Sequence, residues 1–303
     1  MPQTNLKIEE PICVVASGDV CGEGIVWVQD EKCIYWTDIN RFLLHRYSLQ
    51  DGLVKTWFFP EPVTCAMETS RPGTLALSLG SGIVLFQPGS DGPPTPFFAL
   101  PGWPTLRCND AGVDPGGALW VGTMRNNVKE NGDHGEGGGE DGVLYRLDGS
   151  GTVTEWRRNV CISNTLLWSP DRSTFYFGDS TKNVIWSYDY DLATRSIAAE
   201  RPFLEGFERG LPDGSTIDSE GYVWNCRWGG GCIVRVAPDG KIDRVIEMPV
   251  DRPTNCTFGG PEGNVLYVTS ATPEPGRWER FGGGLFALQT NMTGLTENKF
   301  LLS

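Results

Sequence analysis

Histidine is almost missing from this chain: 303 residues contain two, His45 and His134. No G-x-S-x-G occurs either, so a Ser-His-Asp hydrolase built on a nucleophile elbow is poorly supported. The nine cysteines are scattered with no C-x-x-C, which argues against a zinc-thiolate site. They read as reduced, mostly buried thiols of a cytoplasmic protein. No run of about 18 apolar residues is present, so no membrane span is expected. The first ten residues are polar and lack an apolar h-region, so no secretory signal is expected. Basic residues are few, 25 Lys and Arg against 38 Asp and Glu, and the net charge of −13 argues against nucleic acid or an anionic membrane as partner. The glycine-rich runs GSGIVLF, GGGCIV and FGGGLF precede strand-like rather than helical segments, which speaks against a phosphate cradle.

Short alternating runs bounded by Gly, Asp, Asn and Pro dominate, and helical periodicity is weak. Six segments share one register. They are EGIVWVQDEKCIYW, VTCAMETSRPGTLAL, NDAGVDPGGALWVG, NTLLWSPDRSTFYFG, DGSTIDSEGYVW and TNCTFGGPEGNVLYV. Four places after each first residue comes an apolar one: Trp27, Met67, Val113, Trp168, Ile217 and Phe258. A Gly/Asp/Pro turn and a second strand follow. The first residues, Glu23, Val63, Asn109, Asn164, Asp213 and Thr254, stand 40 to 55 residues apart. That spacing, with about four short strands per repeat, is a propeller signature. A β-sandwich of unrelated strands would not repeat one offset six times. The expected fold is an all-β, six-bladed β-propeller occupying residues 1–303 as a single domain. Residues 126–142 are rich in glycine and read as a long loop, a candidate lid.

In a propeller the innermost strands line a central channel, so equivalent positions form a ring. Two carboxylates, Glu23 and Asp213, would then face each other with Asn109 and Asn164. Unbridged, they repel and one must take up a proton. A divalent cation removes the conflict, and Glu23, Asn164 and Asp213 are hard oxygen donors of the kind such ions prefer. The expected cofactor is one divalent metal ion, Ca2+ first, with Mn2+, Mg2+, Zn2+ and Fe2+ as alternatives. Turn capping at the channel mouth is the competing role for each residue taken singly. Among the aromatics, Trp228 in NCRWGGGC is the candidate to face a substrate.

At these residues the chain resembles the senescence-marker-protein, gluconolactonase and luciferin-regenerating-enzyme family. The motifs are CGEGIVW, RCNDAGVDPGGALWVGTM, ISNTLLWSPD, LPDGSTIDSEGYVW and PTNCTFGG. The resemblance implies one divalent metal in the channel, held by Glu23, Asn164 and Asp213. It implies hydrolysis of a sugar lactone, such as glucono-, xylono- or arabinolactone, to the aldonic acid. Asp213 is then the candidate catalytic general base, and Arg107 and Asn109 fall on the family's substrate-binding positions. Some members carry an acid shortly after G-T-M; Arg125, Asn126 and Asn127 stand there instead, and Asn127 becomes a substrate-binding candidate. Two family glycines are replaced by Ala111 and Thr165. The rival functions are a calcium- or metal-binding regulatory protein without significant turnover and a propeller interaction module. The partner expected is a small sugar lactone, with the protein a monomer or weak homodimer.

Overall fold

In the computed structural model, residues 6–274 and 276–303 are described. They form six antiparallel four-stranded sheets, the blades of a β-propeller. The first blade holds β2 (Gly22–Val28), β3 (Cys33–Asp38), β4 (Leu43–Ser48) and β5 (Val54–Phe58). The second holds β6 (Val63–Glu68), β7 (Leu75–Leu79), β8 (Gly82–Phe86) and β9 (Thr95–Ala99). The third holds β10 (Leu106–Val113), β11 (Leu119–Arg125), β12 (Gly142–Leu147) and β13 (Val153–Val160). The fourth holds β14 (Ser163–Trp168), β15 (Thr174–Asp179), β16 (Val184–Asp191) and β17 (Ser196–Glu205). The fifth holds β18 (Leu211–Ile217), β19 (Val223–Trp228), β20 (Cys232–Val236) and β21 (Ile242–Glu247). The sixth joins both ends of the chain: β1 (Ile12–Val15) pairs with β24 (Leu285–Gln289), beside β23 (Val265–Ser270) and β22 (Pro253–Gly259). The described residues contain no helix, so none is long and apolar enough to cross a membrane.

Burial follows strand order. The inner β2, GEGIVWV, is buried throughout, whereas the outer β5, VKTWF, is half exposed. Aromatic side chains fill the gaps between blades: Trp120 packs on Trp168 and Phe175, and Trp224 meets Phe258 edge-on at 5.4 Å. Asp114 and Asp218, five places after ring residues Asn109 and Asp213, lock this packing. Asp114 accepts the Trp120 indole N–H at 2.9 Å and Arg146 at 3.2 Å. Asp218 accepts Trp224 at 2.9 Å and Arg235 at 2.7 Å. These two acids therefore serve the blades and not the channel. All nine cysteines are free, and seven are buried, where they act as small apolar groups.

The six ring residues all lie on the six innermost strands, not in capping turns. At that height every inner strand slips register against its neighbour, between Glu23 and Val26, Val63 and Cys65, Cys108 and Ala111, Asn164 and Leu166, Pro212 and Ser215, and Pro253 and Cys256. A bulge adds a residue to one strand and re-aims its side chains. In the sixth blade the slip brings a residue that strict alternation would turn away, Asn255, onto Glu23. Gly24, directly after Glu23, has φ +53°, and a Cβ there would lie 2.2 Å from the Thr64 carbonyl oxygen. Only glycine lets the first two blades approach this closely. Gly24→Ala should therefore cost about 1–3 kcal/mol through strain alone, read as a lower urea midpoint at unchanged slope. An unaltered midpoint would contradict the close approach.

Candidate functional site

The bulges gather a dense set of polar groups in a space from which solvent is largely excluded. Glu23, Arg107, Asn164 and Asp213 are exposed by only 8, 4, 2 and 6%. The Glu23 and Asp213 carboxyls lie within hydrogen-bonding reach of each other. Glu23 Oε2 also accepts the Gly24 N–H at 2.9 Å and Asn255 Nδ2 at 3.0 Å. Burial pushes the Glu23 carboxyl above its ordinary range, against the pull of those donors. Asp213 is pushed well up, by burial first and then by the charges of Glu23 and Asp110. Asn164 Nδ2 donates to Ser180 Oγ at 2.8 Å, while its Oδ1 is buried with no hydrogen-bond partner.

Arg107 is anchored on neutral oxygens. Its guanidinium donates to Asn109 Oδ1 at 2.6 Å, to the Cys108 carbonyl at 3.0 Å, and twice to Asn127 Oδ1, at 2.9 and 3.1 Å. Burial lowers its pKa to about 10, so it remains a cation at neutral pH. Asn109 in turn donates to the Ser163 carbonyl on the next blade at 2.8 Å. Asn127 thus reaches the ring through Arg107. The loop that carries Asn127 continues over to the first blade, where Asn40 Nδ2 holds the Gly132 carbonyl at 2.7 Å. Trp228, at the end of β19, is half-buried beneath the Arg252 guanidinium, 4.9 Å from the ring centroid. Val63 and Thr254 carry no chemistry: Val63 packs in the core, and Thr254 Oγ1 ties to the Gly22 carbonyl and lies 2.9 Å from Thr269 Oγ1.

Two site residues escaped the sequence reading, Asp110 and Asn255. Both sit one place after a ring position, so the neighbouring column of the same repeat carries them. Asp110 accepts the Ala111 N–H at 2.9 Å and lies 3.4 Å from Cys65 Sγ. Burial, then the charge of Glu23, raises its pKa to about 7. Asn255 presses on Gly214, where a Cβ would lie 2.1 Å from its side-chain carbon. A cavity of about 330 Å3 opens on this downstream side, lined in part by Gly24, Asp110, Ser215 and Asn255 and closed by residues 295–298. None of the ring residues lines it, nor do Arg107, Asn127 or Trp228. Its lining comes from residues that follow the ring position on the inner strands, such as Gly24, Asp110 and Ser215.

Among the described residues, no three His, Cys, Asp or Glu side chains form a cluster that could hold a metal. The hard-oxygen groups at the ring positions are two carboxylates, of Glu23 and Asp213, and the unsatisfied carbonyl oxygen of Asn164. When Glu23, Asp110 and Asp213 are all ionised, Arg107 offsets one charge and two negative charges remain. Hard-oxygen donors around a residual charge of minus two match a divalent cation.

Comparison with known proteins identifies the family. Residues 21–272 match the family described as SMP-30/gluconolactonase/LRE-like region. A pentonolactonase of Haloferax volcanii is 35% identical over 257 residues, covering 82% of this chain and 81% of its own. A 6-deoxy-6-sulfogluconolactonase of Pseudomonas putida is 34% identical over 296 residues, covering 95 and 97%. The crystal structure of a calcium-binding protein, regucalcin, from Agrobacterium tumefaciens superposes with a TM-score of 0.87 at 26% identity, covering 95 and 96%. The chain belongs to the SMP-30/gluconolactonase/LRE-like family.

Proposed function

We propose that the protein is a sugar lactone hydrolase that uses one divalent cation held by Glu23, Asn164 and Asp213. Two observations carry the reading: Asn164 Oδ1 is a buried acceptor with no donor on the inner strand of the fourth blade, and the Glu23 and Asp213 carboxyls, at the same repeat position of the first and fifth, are in mutual contact. A buried polar atom left unpaired is costly, and a cation would satisfy it. The lactonase names of the two sequence relatives support the substrate class. Calcium is the first candidate ion, in line with the calcium-binding neighbour.

When bound, a divalent cation supplies Lewis-acid polarisation of the lactone carbonyl and lowers the pKa of water. Asp213 would be ionised beside a bound cation. Asp213 can then take a proton from the water that attacks the carbonyl carbon. The ring C–O bond breaks, and the proton passes to the departing ring oxygen, which gives the open aldonic acid. Arg107, fixed by Asn109, Asn127 and the Cys108 carbonyl, sets a positive charge where the oxyanion develops. Substrate enters on the face of Arg107, Asn127 and Trp228, under residues 126–142, which span towards the first blade. On this reading the whole propeller acts as one domain around one site.

Five- and six-membered aldonolactones should be hydrolysed in a pH-stat assay, with activity lost on chelation and regained with Ca2+ or Mn2+. Asp213→Asn should lower kcat by about 10²–10⁴-fold. Turnover that survives both treatments would rule out this site, and cation binding without any turnover would rule out the hydrolase.

The raised carboxyls add a second expectation. A carboxyl whose folded pKa is raised stabilises the fold while protonated and loses that contribution as pH climbs through the raised value. The window runs from the ordinary carboxylate range, about 4, through about 7, the value for Asp110. The melting temperature of chelated protein should fall between about pH 5 and pH 8. Added Ca2+ should raise it more at the upper pH. A chelated melting temperature that climbs across this window would contradict the burial of the three acids.

A further inference from the structure

Thr165, the residue after Asn164, adopts φ +56°, in the left-handed region. A β-branched side chain is a genuine outlier there and persists only where its surroundings hold it. Thr165 is fully buried, and what holds it is the site itself. Its Oγ1 donates to the backbone carbonyl of Asp213 at 2.7 Å and lies 2.8 Å from Ser215 Oγ. Asn225 Nδ2 donates to the same Asp213 carbonyl at 3.0 Å and to Ser215 Oγ at 2.9 Å. The Thr165 N–H points to the Asp110 carboxyl. On the adjacent strand Gly178 leaves room for this side chain, since a Cβ there would lie 3.2 Å from Thr165 Cβ. One residue therefore links the strand that carries Asn164 to the backbone of Asp213 and to the side chain of Asp110.

We propose that Thr165 is a positioning residue whose hydroxyl clamps the inner strands of the fourth and fifth blades together, holding Asn164 Oδ1 and the Asp213 carboxylate at the separation that binds the cation. The proposal rests on the cation site argued above. It assigns the strained backbone a purpose: the left-handed turn puts the Thr165 hydroxyl on the Asp213 carbonyl while Asn164 stays on the channel wall.

Three substitutions separate the hydroxyl from the strain. Thr165→Val keeps the branched Cβ and loses the hydroxyl. Thr165→Gly loses the hydroxyl and accepts the backbone angle without strain. Thr165→Ser keeps the hydroxyl. Chelated wild type and variants would be titrated with Ca2+ and with Mn2+ by calorimetry, alongside thermal melts. The expected result is cation affinity weakened about 10–100-fold in the Val and Gly variants, with the Ser variant close to wild type. A purely structural role would move the melts and leave affinity unchanged, and wild-type affinity in a folded Val or Gly variant overturns the proposal. Should the Val variant not fold, the unstrained Gly variant decides. Wild-type protein that binds neither ion defeats the cation site and this inference together, whereas intact binding in all three variants defeats this inference alone.

Discussion

Charge held in a space without solvent is the constraint on which this structure depends. Glu23 and Asp213 are buried within reach of each other, and Asp110 and Arg107 are buried nearby. Such groups are costly unless each finds a partner. The scaffold answers with neutral donors: the Gly24 N–H and the Asn255 amide on Glu23, and the Ala111 N–H on Asp110. Neutral oxygens likewise surround the guanidinium. What they leave over is a net negative charge and one bare carbonyl oxygen, at Asn164. The proposed cation completes that balance.

The propeller makes this arrangement geometrically cheap. Six equivalent strands converge on one axis, so residues nearly two hundred positions apart, such as Glu23 and Asp213, meet without long loops. The repeated register slip adds side chains beside the ring, Asp110 and Asn255 next to Glu23. The same device explains the glycines beside the ring, since Gly24 and Gly214 stand where the next blade's carbonyl or amide presses in. Chain closure by β1 on β24 fixes the sixth blade to the first and holds the circle against opening.

Much of this could be read in the sequence because the repeat is a one-dimensional record of radial symmetry. A single offset located all six inner strands and the side chains of Glu23, Asn109, Asn164 and Asp213. Asp110 and Asn255 were lost because strand alternation assigns consecutive residues to opposite faces, whereas a bulge brings both into play. The role of Asn127 was legible only as a departure from the family's motif, and the structure gives it a physical form as the acceptor for two Arg107 donors. The partner of β1 could not be read, since pairing across some 270 residues leaves no local pattern. The strain at Thr165 is a backbone angle, and its one trace in the sequence is that Thr165 stands where the family carries glycine.

Glu23, Asn164 and Asp213 are proposed to hold one divalent cation jointly. Anomalous diffraction from crystals soaked in Mn2+ tests this most directly. One strong peak is expected in the channel, within coordination distance of Asn164 Oδ1 and of both carboxylates. A channel without a peak, or a peak that leaves Asn164 Oδ1 uncoordinated, would contradict it.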